Sequence, residues 1–206
     1  MELITPGYNI IRPFSHEDAI AELKYIELEA RRCYKSEDKI TDDSYLKKVQ
    51  QLRVNNHNAM LGFGELHVEF ICDRGVSHEI VRHRIAEYAQ ESTRYCNYGG
   101  KGIQVICPDE IMQHSEPEVF NVWSKAMAES EYAYNQLIDF GLKPQIARSV
   151  LPTALKTEIG VKANFQEWRH IFSQRTPATA HPQMREIMVP LLAILKVHIP
   201  IVFDDL

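Results

Sequence analysis

Residues 73–98 read DRGVSHEIVRHRIAEYAQESTRYCNY and gather Arg74, Arg82, Arg84 and Arg94 with His78 and His83, in a chain whose formal net charge is -5. Val76, Ile80, Ile85, Tyr88 and Ser92 recur at spacings of three to five, which predicts one amphipathic helix from Asp73 to about Ser92. The polar STRYCNYGG that follows reads as a loop. Glu79 and Glu87 each lie four residues from His83, so i,i+4 pairing is expected to fix that imidazole. Arg82 and Arg84 fall on different helix faces and would reach different groups. The stretch uses arginine and no lysine, and the planar guanidinium fork suits phosphate and carboxylate. The residues alone leave two readings open: a salt-bridged surface helix and an anion site.

Outward from this stretch, the chain has 206 residues with 45% hydrophobic content. That suits one domain with a real core, burying roughly 70% of the surface the unfolded chain exposes. No run approaches ~18 apolar residues, so no transmembrane helix is expected. The N-terminal sequence lacks a basic segment followed by an apolar one, and no signal peptide is read. Cys33, Cys72, Cys96 and Cys107 are scattered without a CxxC pair, which argues against a zinc ribbon and for reduced thiols in a cytoplasmic protein. The acidic balance argues against bulk nucleic-acid binding, and a local arginine cluster points instead to a small anionic ligand.

The predicted elements alternate without repeats or linkers. LITPGYNII reads as a strand broken by a Pro-Gly turn. Ser15 to Asp18 is a capping-box start for a helix through Tyr34, and Thr41-Asp42-Asp43 opens a second. HVEFIC and GIQVIC are strand candidates, and KTEIGVKA alternates weakly. Ser115 to Glu118 caps the longest amphipathic helix, whose aromatic residues suit a core or a subunit interface, and Gly141 stops it. PQIARSVL is a short helix. Asn164 caps a helix to Arg175, TPATAHP breaks it, and Pro190 is expected to kink or restart the apolar last helix. The fold class is α+β: a helix-rich single domain, residues 1–206, with a small, mostly antiparallel sheet.

Three further residues stand apart. Arg148 lies in an apolar setting, ARSVLP, where burial without a partner would be costly. Arg175 ends a helix, a position that also suits a cation for the helix dipole alone. His57 sits in the polar NNHN.

Arg82-His83-Arg84, seven residues and then Ser92 make an RHR-x7-S pattern, and with DRGVSHEIVRHR and QESTRYCNY around it the chain resembles the flavin-dependent thymidylate synthases. The resemblance runs from about His57 to the HPQMREI segment. It implies that Arg82, His83 and Arg84 contact FAD. It also implies that Gln90, Glu91, Ser92, Thr93 and Arg94 wrap the dUMP nucleotide, Gln90 touching the flavin as well, and that Glu79, Ile80, Val81 and Arg82 touch that nucleotide. Arg148 matches the family's phosphate-binding arginine, and Arg175 the arginine that favours the ionised N3 of the uracil. Asn164, Phe165, Gln166 and His170 match flavin-contacting positions, as do His57, Ala59 and His181 in the same neighbourhood. Ala59 replaces a common Ser or Thr, Gln90 replaces a Glu found in some members, and TPATAHP is longer than in some.

The resemblance further implies reductive methylation of dUMP to dTMP, with methylenetetrahydrofolate as carbon donor and NADPH as reductant through FAD. It implies a homotetramer with shared active sites, and neither a nucleic-acid nor a membrane partner. Arg175 would stabilise negative charge on the uracil as an electrostatic catalyst. Ser92 has no general base beside it in sequence and reads as a substrate-binding donor. The absence of GxGxxG means no Rossmann grip on FAD. Two rival readings are a related flavoenzyme acting on another pyrimidine nucleotide and a non-catalytic nucleic-acid-binding module.

Overall fold

The computed structural model describes residues 1–13 and 15–206. The elements in chain order are β1 (Glu2–Leu3), β2 (Gly7–Arg12), α1 (His16–Arg32), α2 (Ser44–Val54), β3 (Glu65–Asp73), α3 (Arg74–Ile80), β4 (Glu87–Gln90), β5 (Gln104–Val105), α4 (Asp109–Met112), α5 (Pro117–Asp139), α6 (Pro144–Ala147), β6 (Lys156–Asn164), α7 (Phe165–Arg175) and α8 (Pro182–His198). The class is α+β, with a small antiparallel sheet of strand order β2-β3-β6-β4. A separate parallel pair joins β1 to β5, Glu2 opposite Gln104. No helix among the described residues is long and apolar enough to cross a membrane.

The chain forms two compact units, each drawn from three stretches of sequence. The first takes Met1–Gly7, Phe70–Arg82 and Ala89–Ile159, and the second takes Tyr8–Glu69, His83–Tyr88 and Gly160–Leu206.

In the second unit, α1 starts at a full capping box, Ser15 and Asp18 each satisfying the other's backbone N–H. Its buried Ala19, Leu23, Ile26 and Ala30 follow the helical period that the sequence shows. Helix α7 is capped by Asn164, whose Oδ1 accepts from Glu167 N at 2.8 Å. It buries Phe165, Trp168, Ile171 and Phe172, and Trp168 Nε1 donates to Leu66 O at 2.9 Å. Helix α8 runs unbroken through Pro190. It does not restart there: Pro190 is on the exposed side, while Ile187, Met188, Leu191 and Leu195 anchor the helix on the other.

In the first unit, Ile103, Val105 and Leu155 form a core with Tyr98, Trp123, Met127 and Leu151 against it. Glu131 on α5 accepts from Ile103 N at 2.9 Å. Helix α5 ends before Gly141, whose φ of +86° is the left-handed conformation a helix stop uses. Its expected Ser115 cap is not formed: Glu116 is the N-cap residue, without a side-chain bond, and Pro117 opens the helix.

The predicted helix over 73–92 is corrected. Helix α3 is N-capped by Asp73, whose Oδ1 accepts from Val76 N at 2.7 Å, and it stops at Ile80. The chain turns and enters β4. Tyr88 and Gln90, two apart, are half-buried while Glu87 and Ala89 are exposed, so the period of two prevails there over the period of 3.6. Ile85, placed on the helical stripe by its spacing, is 70% exposed.

Candidate functional site

The first unit carries a cavity of about 580 Å³ lined by Arg74, His78, Thr93 and Arg148, with Pro152 and Leu155 among its apolar walls. Arg74 and His78 are four apart and share one face of α3. Arg74 Nη1 donates to Glu91 O and to Thr157 Oγ1, each at 3.4 Å. Arg148 follows α6, whose Ala147 is fully buried and fixes that turn to the core. Arg148 Nη1 donates to the buried Thr93 Oγ1 at 3.1 Å. An exposed guanidinium held by a neutral hydroxyl keeps its charge for an anion, and a dianion is the ligand this lining suits.

Around that cavity the sequence-predicted residues divide. Arg94 is exposed and lies over the Tyr95 ring, 5.4 Å to its centroid, and it is not among the residues lining the cavity with Arg148. Ser92 Oγ accepts from Arg94 N at 3.4 Å, a turn bond. Gln90 Nε2 donates to Ser77 Oγ at 2.9 Å and Thr157 Oγ1 at 3.2 Å. Glu91 Oε1 accepts from Tyr98 O–H at 2.7 Å, and its side chain lines a different cavity, of about 240 Å³, with Lys156. Burial first, then the bond to Glu91, pushes the Tyr98 phenol well above its ordinary value. Glu79 is half-buried, Val81 and Arg82 are exposed, and Ile80 is 1% exposed, a core side chain. Arg74 and His78 are the residues that sequence reasoning left out of the site. Their i,i+4 spacing ahead of the RHR triplet was the available signal.

The second unit holds a different cluster. Arg175 Nε donates to His83 Nε2 at 3.0 Å. Glu167 Oε1 is 3.7 Å from His83 Nδ1, with both side chains buried. The early end of α3 takes His83 off the helix on which the expected i,i+4 spacing holds, and Glu87 pairs with Lys162 at 3.6 Å instead. His170 meets His83 edge to face at 5.8 Å. Tyr88 O–H donates to His83 O at 2.5 Å. Burial, the Arg175 cation and His170, in that order, pull the His83 imidazole down to about 4. Burial and then the Glu167 carboxylate push the Tyr88 phenol up to about 12.

His83, Glu167 and His170 bring their donor atoms within 4.8 Å of one another, a spacing that metal sites share. A guanidinium donates only, so His83 Nε2 is an acceptor and the neutral ring carries its proton on Nδ1. A cation on Nδ1 would displace that proton and force an N–H towards Arg175.

Arg84, with Lys162 and Asn164, lines a neighbouring cavity of about 370 Å³ in the same unit. Lys162 is committed to Glu65 at 3.4 Å and Glu87 at 3.6 Å, and Arg84 is exposed. Phe165 is fully buried and stacks edge-on with Phe203 at 5.9 Å, so its side chain is core. Gln166, His170 and His181 are exposed, as are His57 and Ala59 at the start of a short 3₁₀ turn over Asn58–Phe63.

Residues 18–201 match the family model described as "Thymidylate synthase complementing protein". The chain is 31% identical over 202 residues to the flavin-dependent thymidylate synthase of Corynebacterium glutamicum, covering 87% of this chain and 78% of that protein. With the enzyme of that name from Geobacter sulfurreducens the identity is 32% over 191 residues, covering 87% and 80%. Among solved structures, the UMP/dUMP methylase PolB from Streptomyces cacaoi, bound with 5-Br dUMP, superposes with a TM-score of 0.79 at 18% identity, covering 99% of this chain and 96% of that one. That likeness concerns the fold.

Proposed function

This chain belongs to the flavin-dependent thymidylate synthase family, and from that premise we propose that it methylates dUMP to dTMP using methylenetetrahydrofolate, FAD and NADPH. The observation that carries the substrate reading is the Arg148–Thr93 bond in a cavity that Arg74 and His78 also line. A nucleotide monophosphate is a compact dianion, and this lining sets cations around it with neutral hydroxyl support. Arg148 takes the phosphate, and Thr93 and Ser92 supply hydroxyl contacts beside it. Gln90, Glu91, Arg94 and the stretch from Glu79 to Arg82 are the further nucleotide contacts that the family's pattern assigns.

In the second unit Arg84 is an exposed cation on the wall of a cavity that Glu65, Glu87 and Lys162 also line, and with Lys162 committed to those two carboxylates its guanidinium is the group offered to a flavin's pyrophosphate. Arg84 and Asn164 would hold the cofactor there, with Arg82, His83, His57, Ala59, Phe165, Gln166, His170 and His181 as the further contacts that the family's pattern assigns. When bound, the flavin supplies the reducing equivalents that turn the transferred carbon into a methyl group. Arg175, held by His83, would stabilise the negative charge that develops on the uracil ring, which lowers the barrier to attack by C5.

The proposal extends to the assembly. Val122 and Tyr132 on α5 and Phe140 at its C-cap leave apolar side chains exposed, a surface suited to copies of the same chain in a homotetramer with shared sites. Each unit is stitched from three chain segments, which supports one catalytic domain over residues 1–206. A cytoplasmic setting suits reduced thiols.

The test is direct. Purified protein should show a flavin absorbance band that changes on adding dUMP, and with methylenetetrahydrofolate and NADPH it should form dTMP, identified by mass. Parallel incubations with UMP and dCMP report substrate choice. A colourless protein that does not take up FAD, or a product from UMP or dCMP with none from dUMP, would overturn the proposal.

A further inference from the structure

We propose that Glu167 is a positioning residue for Arg175, acting through the tautomer of His83. The inference rests on the reading of Arg175 as the electrostatic catalyst.

Glu167 and Arg175 are eight residues apart on α7, with His170 between them, so the three share one broad face of a single rigid helix. His83 lies against that face, its backbone carbonyl tied by Tyr88. Arg175 Nε–H points at His83 Nε2 with 3.0 Å between the nitrogens. That bond exists only while Nε2 keeps its lone pair, which places the ring's proton on Nδ1. An isolated neutral imidazole divides its proton between the two nitrogens. Here the Glu167 carboxylate lies 3.7 Å from Nδ1. The separation is too long for a hydrogen bond, but in a buried pocket a negative charge at that range favours an N–H facing it and disfavours a lone pair. The same charge rewards the donor arrangement beyond the ring, because Arg175 is a cation. Glu167 is 7% exposed, and a carboxylate so buried needs compensation, which the Nδ1–H dipole and the guanidinium behind it supply.

The arrangement has the logic of an oriented imidazole held in one tautomer by a carboxylate. His83 here abstracts no proton. It acts as a hydrogen-bond acceptor that keeps the Arg175 side chain from rotating about its long stem.

The test uses full-length flavin-loaded protein labelled with ¹⁵N at histidine. Nitrogen shifts of His83 in the wild type should report protonated Nδ1 and unprotonated Nε2. Glu167→Gln keeps the shape of the side chain and removes its charge. It should move proton population to Nε2 and lower kcat roughly 10–100-fold, with the KM for dUMP changing less than about threefold. In an Arg175→Lys background, which keeps the cation but lacks the Nε donor, the same substitution should cost less than about twofold. A wild-type ring protonated on Nε2, or an unchanged tautomer in Glu167→Gln, overturns the proposal. An equal loss of turnover in both backgrounds does so as well. The tautomer is read without turnover, so a failure of the thymidylate synthase reading leaves it measurable.

Discussion

Arg148 reaches across 55 residues of sequence to Thr93, Nη1 to Oγ1 at 3.1 Å. The hydroxyl is buried and the guanidinium belongs to an exposed residue, so one end of the bond is fixed and the other is presented to ligand. Thr93→Val preserves shape and removes the acceptor. A hydrogen bond to a charged group contributes about 1.5–3 kcal/mol, and the exposure of Arg148 puts the loss at the low end or below. The KM for dUMP should rise roughly tenfold with kcat changed less than about threefold. Unchanged KM in steady-state assays would remove this bond from substrate binding.

Arg175 is the second test of the site. Arg175→Ala removes the cation while Asn164 still caps α7 and Phe165, Trp168 and Phe172 still bury its other face. The variant should keep its circular dichroism and its flavin absorbance. Turnover should fall on the order of 100-fold or more, the scale on which a charge-stabilising donor acts. Turnover within a few-fold of wild type would end the catalytic assignment.

His83 sets a pH dependence of stability. Its pKa is pulled from 6.5 to about 4 in the folded chain, by burial first, then Arg175, then His170. Between those values the unfolded chain binds a proton that the folded chain refuses. This contribution to stability is therefore complete above about pH 6.5 and is lost as pH falls towards 4. Melting temperatures of wild type and His83→Gln across that window give the check: the wild-type curve should fall more steeply. Parallel curves would count against a neutral, buried His83.

Much of the fold was legible because local signals agreed with burial. Ser15 and Asp18, Asn164 and Gly141 each mark a helix end that the structure places within a few residues. The 73–92 region failed because Tyr88 fits both a 3.6 period with Ile80, Ile85 and Ser92 and a period of two with Gln90, and Gln90 is held on the strand by the hydroxyls of Ser77 and Thr157. The same break took His83 off the helix and left it facing Glu167, 84 residues on. Arginines as a class were visible as anion ligands. Their division was not: Arg94 and Arg148 look alike in sequence, but only Arg148 lines the cavity with Thr93, and that depends on a buried Ala147 beside it.

Gly64 offers a test of the core beneath the second cluster. Its carbonyl accepts from Phe165 N at 2.9 Å, bringing the backbone hard against the first residue of α7. A Cβ there would sit 2.4 Å from Phe165 Cε2 and 2.9 Å from Ile26 Cδ1. Phe165 is fully buried and pinned by Phe203, so the ring has nowhere to move. Overpacking of this kind costs about 1–3 kcal/mol. In a chain of this size each kcal/mol shifts the melting temperature by about 2–4 °C, so Gly64→Ala should melt roughly 2–12 °C below wild type. Gly7→Ala is the matched control, because a Cβ at Gly7 meets nothing within 4 Å. If both variants melt with the wild type, α7 is not seated on Gly64 as described. If Gly64→Ala alone falls and also loses flavin, the seat of α7 and the cofactor's wall are the same structure.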